Sequence, residues 1–521
     1  MTTKRLVLTF LTLLTTLIVG LALLNSWHQP QIQTQLELYQ TNLVLQASDW
    51  SPLATPQAPQ ASELERSPEA ESAATALRSQ HVLLGESLLG ADPVAAAITQ
   101  YQKVRESAQV TLERAEPQAR EAAQAAKLAM QTQQFIAELD LHLGLLEAVQ
   151  GDTATAIATW EQVIQQAAHL KPETVQMAQV LRGLWQVPPQ LLPDADLRLQ
   201  SLNGWFRYQA LHRLYELQQR PDSLANLEQM QQQAAQRSLL RLTIVNGIPI
   251  LGLLVGSSLL IFLVVQQWLH GKEALLARND DQVWSTPWDG ETIWQVLVLF
   301  FLGQFVAGQI ILPILLQTLG IKPANFSSLG QALYYLVVYA LLIAVGLGAV
   351  YFSIRPFLPL PPQWFPLRWR GNWIGWGVGG YLVALPLVIL VSLVNQRLWQ
   401  GQGGSNPLLS TILASQDWWA LLCFFITASI AAPLFEEFLF RGFLLASLTP
   451  LVSVNGAIAV SALVFAVAHL SLSEVLPLFV LGLVLGVVYT RSRNLLAPML
   501  LHGLWNSGTL VSLVILGSSH S

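Results

Sequence analysis

Residues 433–442 read Pro-Leu-Phe-Glu-Glu-Phe-Leu-Phe-Arg-Gly, which places Glu436, Glu437 and Arg441 inside a run of apolar and aromatic side chains. Ionisable groups within apolar helices cost free energy and usually mark a functional site. Glu437 and Arg441 are four positions apart and can pair on one face of a helix. Glu436 points about 100° away and stays free for another task. The stretch predicts a membrane helix that carries a buried polar site.

Two later apolar segments each contain a histidine. Phe-Ala-Val-Ala-His ends at His469 and His-Gly-Leu-Trp-Asn begins at His502, and these are the two histidines, out of nine in the chain, that fall in predicted spans. The same spacing puts Phe465 and His469 on one helix face, and His502 and Asn506 on another. Three helices would therefore each turn a polar group toward a common interior.

These side-chain types suit hydrolysis of an acyl bond. A carboxylate among apolar helices can act as a general base on water, and a nearby histidine can share the proton or hold the water. A second histidine and an asparagine could donate hydrogen bonds to a developing oxyanion. A Glu/His/His set could equally hold a divalent metal such as zinc and form an activated hydroxide. The residues alone leave both routes open.

The composition agrees with a membrane protein. The chain has 521 residues, of which 52% are hydrophobic and 11% charged, whereas soluble domains carry about 25% charged residues. The net charge of −5 comes without a basic stripe, which argues against a nucleic-acid partner. The single cysteine, Cys423, excludes a disulfide framework and a thiolate-rich metal site.

Hydropathy predicts an all-α protein with about nine spans. The first is an apolar run at 6–24, which follows Lys4 and Arg5 and lacks a small-x-small cleavage pattern, so an uncleaved anchor is favoured over a signal peptide. The others are expected near 243–265, 292–316, 329–353, 373–395, 417–440, 453–470, 475–490 and 496–516.

Basic residues cluster in alternate loops, and the positive-inside rule assigns those loops to the cytoplasm. This predicts a cytoplasmic N-terminus and an extracytoplasmic region at 29–241, in the plasma membrane or an internal membrane such as the thylakoid. The loops predicted to be cytoplasmic are 266–291, 355–372, 441–452 and 491–495.

The region 29–241 contains a polar linker at about 51–72 and otherwise favours helices. Similar turn patterns begin at Gly90, Gly151 and Arg220, each opening a helical stretch. They weakly resemble the turns of tetratricopeptide-like repeats; an ordinary helical bundle is the alternative. Either form suits binding of a protein partner better than catalysis.

The three polar motifs together resemble the CPBP family, the CAAX prenyl protease and bacteriocin-processing (Abi) proteins, also called type II CAAX endopeptidases. Its pattern of Glu-Glu-x-x-x-Arg, Phe-x-x-x-His and His-x-x-x-Asn/Asp is complete at 436–441, 465–469 and 502–506. The resemblance covers about 410–516, and 290–516 when the preceding helices are included. It implies that Glu436 and His469 activate water and that His502 and Asn506 line an oxyanion site.

The resemblance also implies support of the site by Glu437, Arg441 and Phe465, and it leaves open a metal held by Glu436, His469 and His502. Family substrates include prenylated CAAX tails and leader or bacteriocin peptides. We therefore expect an intramembrane endopeptidase acting on peptides or proteins at the bilayer, and a non-catalytic adaptor binding through the helical region as the alternative. A transporter is disfavoured, because the motifs lie in one C-terminal bundle without an inverted repeat. The expected domains are an anchor at 1–28, the helical domain at 29–241, a span and linker at 242–291 and the protease domain at 292–521.

Overall fold

The computed structural model describes residues 2–27, 29, 31–50, 90, 92–119 and 123–518, so the predicted linker at 51–72 lies outside the described residues. All regular structure in these residues is helical, which confirms the all-α class. The chain divides into two compact units. We call Gln33–Gly247 with Ser518–Ser521 the helical unit, and Met1–Ile32 with Ile248–Gly517 the membrane unit.

In the helical unit the consecutive helices from Pro93–Ala119 to Ala195–Leu199 each pack against the next along the chain. Its core surrounds Trp160, which is fully buried and whose indole N–H donates to the Leu141 carbonyl at 3.3 Å. Gly151, with φ of +100°, makes the turn before the helix Thr153–Gln165, and Asp152 caps that helix by accepting from the backbone N–H of Thr155. The tetratricopeptide-like assignment stays a prediction. The helices are α2 Ile32–Ser48, α3 Pro93–Ala119, α4 Ala123–Gln150, α5 Thr153–Gln165, α6 Pro172–Trp185, α7 Ala195–Leu199, α8 Gly204–Leu217 and α9 Pro221–His270, whose second half belongs to the membrane unit.

In the described residues, eight helices are long and apolar enough to cross a bilayer, so the protein is an integral, multispanning membrane protein. One of the eight is α9, which covers the span predicted at 243–265. The other helices of the membrane unit are α1 Thr3–Ser26, α10 Gly290–Thr318, α11 Ser328–Ile354, α12 Trp373–Trp399, α13 Pro407–Ala414, α14 Trp418–Leu448, α15 Val454–Val467, α16 Leu472–Ser492 and α17 Leu496–Gly517.

Helix α15 is shorter than the span predicted at 453–470. It has 14 residues, or about 21 Å at 1.5 Å per residue, against a hydrocarbon thickness of about 30 Å. The helix ends because the chain turns at Ala468 and His469 and Leu470 adopts a left-handed φ of +55°. The span predicted at 453–470 is therefore a partial one, and α16 begins directly after the turn.

Helix α14 contains two π-helical segments, Ile426–Ala431 and Phe438–Leu445, on either side of the acidic pair. The first lies just before Pro433, and a π segment in α10, Val306–Ile311, lies just before Pro313. Proline has no N–H to donate to the preceding turn. The altered hydrogen-bond pattern upstream of each proline is the local consequence, and such π segments are common at functional sites.

Candidate functional site

Glu436 lies on α14 and is held from another helix. The hydroxyl of Tyr339 on α11 donates to its Oε1 at 3.0 Å. The other oxygen, Oε2, is buried without a hydrogen-bond partner in the described residues. It lies 3.9 Å from Nε2 of His502 on α17. This gap is too long for a direct hydrogen bond, and a water molecule lying to one side could bond to both atoms.

Glu437 accepts two hydrogen bonds on one oxygen. Its Oε1 lies 2.8 Å from Nη1 of Arg441 and 2.8 Å from Nδ1 of His502. Arg441 also donates to the Gly482 carbonyl of α16 at 3.2 Å, and the side chains of both Glu437 and Arg441 are fully buried. Because the carboxylate is the acceptor, Nδ1 of His502 carries a hydrogen, and in the neutral imidazole Nε2 holds a lone pair toward Glu436.

The three sequence motifs meet around the ring of Phe465, which is fully buried. The Arg441 guanidinium lies 4.5 Å from the ring centroid, a cation–π distance. The rings of His469 and His502 stand nearly perpendicular to it, with centroids 4.9 Å and 5.7 Å away. Phe465 therefore fixes the spacing of one cation and two imidazoles.

His469 lies just past the end of α15 rather than within a membrane helix as the sequence predicts. Its Nδ1 is 2.9 Å from the carbonyl oxygen of Phe465. A carbonyl can only accept, so Nδ1 carries the hydrogen and Nε2 is the atom able to exchange a proton. The turn thus fixes both the direction and the tautomer of this imidazole.

Asn506 donates through Nδ2 to the carbonyl of Ala428 at 2.7 Å. In the i→i+5 pattern of a π-helix, Ala428 would pair with residue 433, which is a proline without an N–H. Asn506 therefore satisfies the carbonyl that Pro433 leaves open, and it joins α17 to α14 there. An amide nitrogen has a second N–H, which this contact does not use.

Sequence reasoning did not find Tyr339 or Gly482. Tyr339 is one of three tyrosines at 334–339 in an apolar helix, and the sequence offers no signal that separates it from Tyr334 and Tyr335. Gly482 takes part through its carbonyl, which residue type does not reveal.

The described residues contain no group of three His, Cys, Asp or Glu side chains placed to hold one metal ion. Nδ1 of His502 is engaged by Glu437 and Nδ1 of His469 by a carbonyl, which leaves Nε2 of each ring as the atom able to ligate a metal. Glu436, His469 and His502, as placed, do not form the ligand set that the sequence left open. The metal stays an untested prediction, and the reaction steps below do not use one.

Comparisons with known proteins place this site in a family context. Residues 418–508 match the model of the type II CAAX prenyl endopeptidase Rce1-like family. The chain is also similar to a membrane-embedded CAAX protease, MroQ, of Staphylococcus aureus (strain USA300), with 27% identity over 139 residues. That match covers 26% of this chain and 55% of the relative, so the chain spans about half the length of the curated relative. No solved structure matches the chain at a significant level. Residues 418–508, in the C-terminal part of the membrane unit, thus resemble the Rce1-like CAAX protease domain.

Proposed function

We propose that this protein is an intramembrane endopeptidase in which Glu436 is the general base. The single observation that carries the proposal is the buried, unpartnered Oε2 of Glu436 facing Nε2 of His502 at 3.9 Å. A membrane endopeptidase in general agrees with the family match at 418–508. The substrates are peptides or proteins at the bilayer.

The proposed reaction begins with a water between Glu436 and His502. Oε2 of Glu436 takes one proton of the water, while the water oxygen attacks the carbonyl carbon of the scissile peptide bond. Nε2 of His502 accepts a hydrogen bond from the other hydrogen and so orients the attacking lone pair. When the C–N bond breaks, Glu436 returns the proton to the leaving nitrogen, giving a carboxylic acid and an amine.

His469 and Asn506 act on the intermediate in this proposal. Nε2 of His469 shares the transferred proton, and its direction is fixed by the bond from Nδ1 to Phe465. The second N–H of Asn506 donates to the oxyanion, at a position set by the bond to Ala428. Donors held before the reaction stabilise the developing charge without reorganising.

The test compares cleavage of membrane proteins by purified wild type, Glu436→Gln, His469→Ala and the control Glu291→Gln. Glu291 pairs with Lys4 and Arg5 in α1, away from the site. We expect a set of peptides produced by wild type and Glu291→Gln and absent with the two site variants. Identical peptide profiles from all four proteins would reject protease activity and favour the adaptor.

Chelation of the wild type then tests the open question of a metal. We expect unchanged cleavage, because the placed residues do not form a ligand set. Loss of cleavage that zinc restores would show that Glu436, His469 and His502 rearrange to bind an ion, and the metal-free steps above would be wrong.

A further inference from the structure

We infer that Tyr339 is a positioning residue for Glu436, an inference that rests on the function proposed above. Its hydroxyl donates to Oε1 of Glu436 at 3.0 Å, from a helix outside the family match at 418–508. Tyr339 therefore selects which carboxylate oxygen is engaged. It leaves Oε2 as the oxygen that faces His502.

A carboxylate acting as a general base needs this kind of restraint. Rotation about its terminal bond exchanges the two oxygens, and that torsion is broad. A hydrogen bond to an ionised acceptor is stronger than a neutral one, so one donor at Oε1 both orients the group and stabilises its charge. Proximity and orientation account for a large share of catalysis in general.

The face of α11 that carries Tyr339 is packed against the segment that carries Glu436. Gly346 lies seven residues, or two turns, after Tyr339 and thus on the same face. A Cβ at Gly346 would lie 2.4 Å from the ring of Phe435, the residue before Glu436. The two helices therefore approach closely at this point.

A second contact fixes α11 along its length. Gln304 of α10 donates from Nε2 to the Leu342 carbonyl at 2.8 Å. Leu342 lies less than one turn after Tyr339. A side-chain bond to a backbone carbonyl inside an apolar bundle is costly to break, because no water replaces it. α14 thus accepts from the Tyr339 hydroxyl, and α10 holds the backbone of α11 within one turn of it.

A purely structural reading is that Glu436 serves only to satisfy a buried tyrosine hydroxyl. The two roles predict different kinetics. If Tyr339 orients the base, its removal lowers kcat with little change in KM and shifts the acid limb of the rate–pH profile to higher pH. A structural contact would change the amount of folded protein and leave both kinetic features of the folded fraction unchanged.

The experiment uses the full-length protein with the most strongly Glu436-dependent peptide from the cleavage comparison as substrate. Tyr339→Phe keeps the ring and removes only the donor. We expect kcat to fall about 10- to 100-fold, the size of one charge-assisted hydrogen bond, with the acid limb moved upward. The matched control is Tyr335→Phe, one turn earlier on α11, where the ring packs on Phe424; its kcat, KM and pH profile should equal wild type.

The outcomes separate this inference from the proposed function. If Glu436→Gln is inactive and Tyr339→Phe matches wild type in kcat and pH profile, the positioning role is overturned and the protease stands. If only the yield of folded Tyr339→Phe falls, the contact is structural and the inference is overturned. If no cleavage depends on Glu436, the proposed function fails and the inference fails with it.

Discussion

At the scale of single residues, Glu437 shows how far spacing rules reach. The i,i+4 rule predicts its pair with Arg441, because both residues lie on one helix. It cannot predict that the same oxygen also accepts from His502, which is 65 positions later and on another helix. Contacts between helices depend on packing angles and depth, which one sequence does not specify. Glu437 therefore both anchors α14 and orients an imidazole of the proposed active site.

Replacing Glu437 by Gln should be strongly destabilising. The change removes the ionised acceptor of Arg441, which is fully buried. The guanidinium charge then keeps only the neutral Gly482 carbonyl as a backbone acceptor. Breaking a buried pair in this way costs about 3–5 kcal/mol. Thermal unfolding in detergent should show a large drop in melting temperature, together with loss of cleavage.

Glu291→Gln is the matched control for that change. Glu291 pairs with Lys4, whose side chain is 53% exposed, and with Arg5, which is 57% exposed. Ion pairs exposed to solvent contribute little to stability, so the melting temperature of Glu291→Gln should stay near wild type. Equal losses in the two variants would show that Glu437 and Arg441 are not a tightly buried pair in solution.

At the scale of elements, hydropathy predicts where helices lie better than where they break. Most of the predicted spans fall within observed helices, because apolar length determines membrane insertion. The segment 453–470 was too long, since an apolar window counts Ala468 and Leu470 as favourable although they lie in a turn. The π segments of α14 also escaped prediction. Pro433 was visible in the sequence, but the partner of the freed carbonyl, Asn506, lies on α17.

Helices α15 and α16 pack through small residues on α16. A Cβ at Gly482 would lie 2.9 Å from that of Ala462, and one at Gly486 would lie 2.8 Å from Ile458. Small residues four positions apart let two membrane helices approach closely. The approach also brings the Gly482 carbonyl within reach of Arg441.

Gly482→Val should separate α15 from α16 and weaken the Arg441 contact. Overpacking of a tight contact costs about 1–3 kcal/mol, so we expect a lower melting temperature and reduced cleavage. Gly20→Val in α1 is the control, because a Cβ at Gly20 would have no neighbouring atom within 4 Å. Equal stability of Gly482→Val and Gly20→Val would contradict the close packing.

At the scale of the whole molecule, composition predicts a polytopic helical protein and leaves the substrate unspecified. The charged fraction of 11% is a property of the entire chain, and it indicates that much of the chain folds in lipid rather than in water. The helical unit has an ordinary packed core, and a core explains stability rather than recognition. Its proposed role in recruiting a partner therefore rests on its size and its predicted side of the membrane.

The predicted topology can be tested by labelling single cysteines in spheroplasts, in a Cys423→Ala background. Gln162 on α5 and Asp281 in the loop before α10 are both exposed. We expect an impermeant maleimide to label Gln162→Cys in intact spheroplasts and Asp281→Cys only after permeabilisation. The reverse pattern would invert the orientation that the basic loops predict.

The early end of α15 bears on how water, the second reactant of the proposed hydrolysis, reaches a site inside the bilayer. Each peptide bond hydrolysed consumes one water, and a hydrocarbon layer dissolves almost none. Non-helical backbone at membrane depth is tolerated only where protein or a hydrated cavity surrounds it. In the turn after α15, hydrogen bonds to other parts of the protein satisfy the non-helical backbone. One of them runs from the Leu472 N–H to the Ser26 hydroxyl at 3.1 Å. Because α15 ends at Val467, His469 lies in a hydrogen-bonded turn rather than inside an apolar helix, and the water that the proposed hydrolysis consumes has polar groups to bind beside that imidazole.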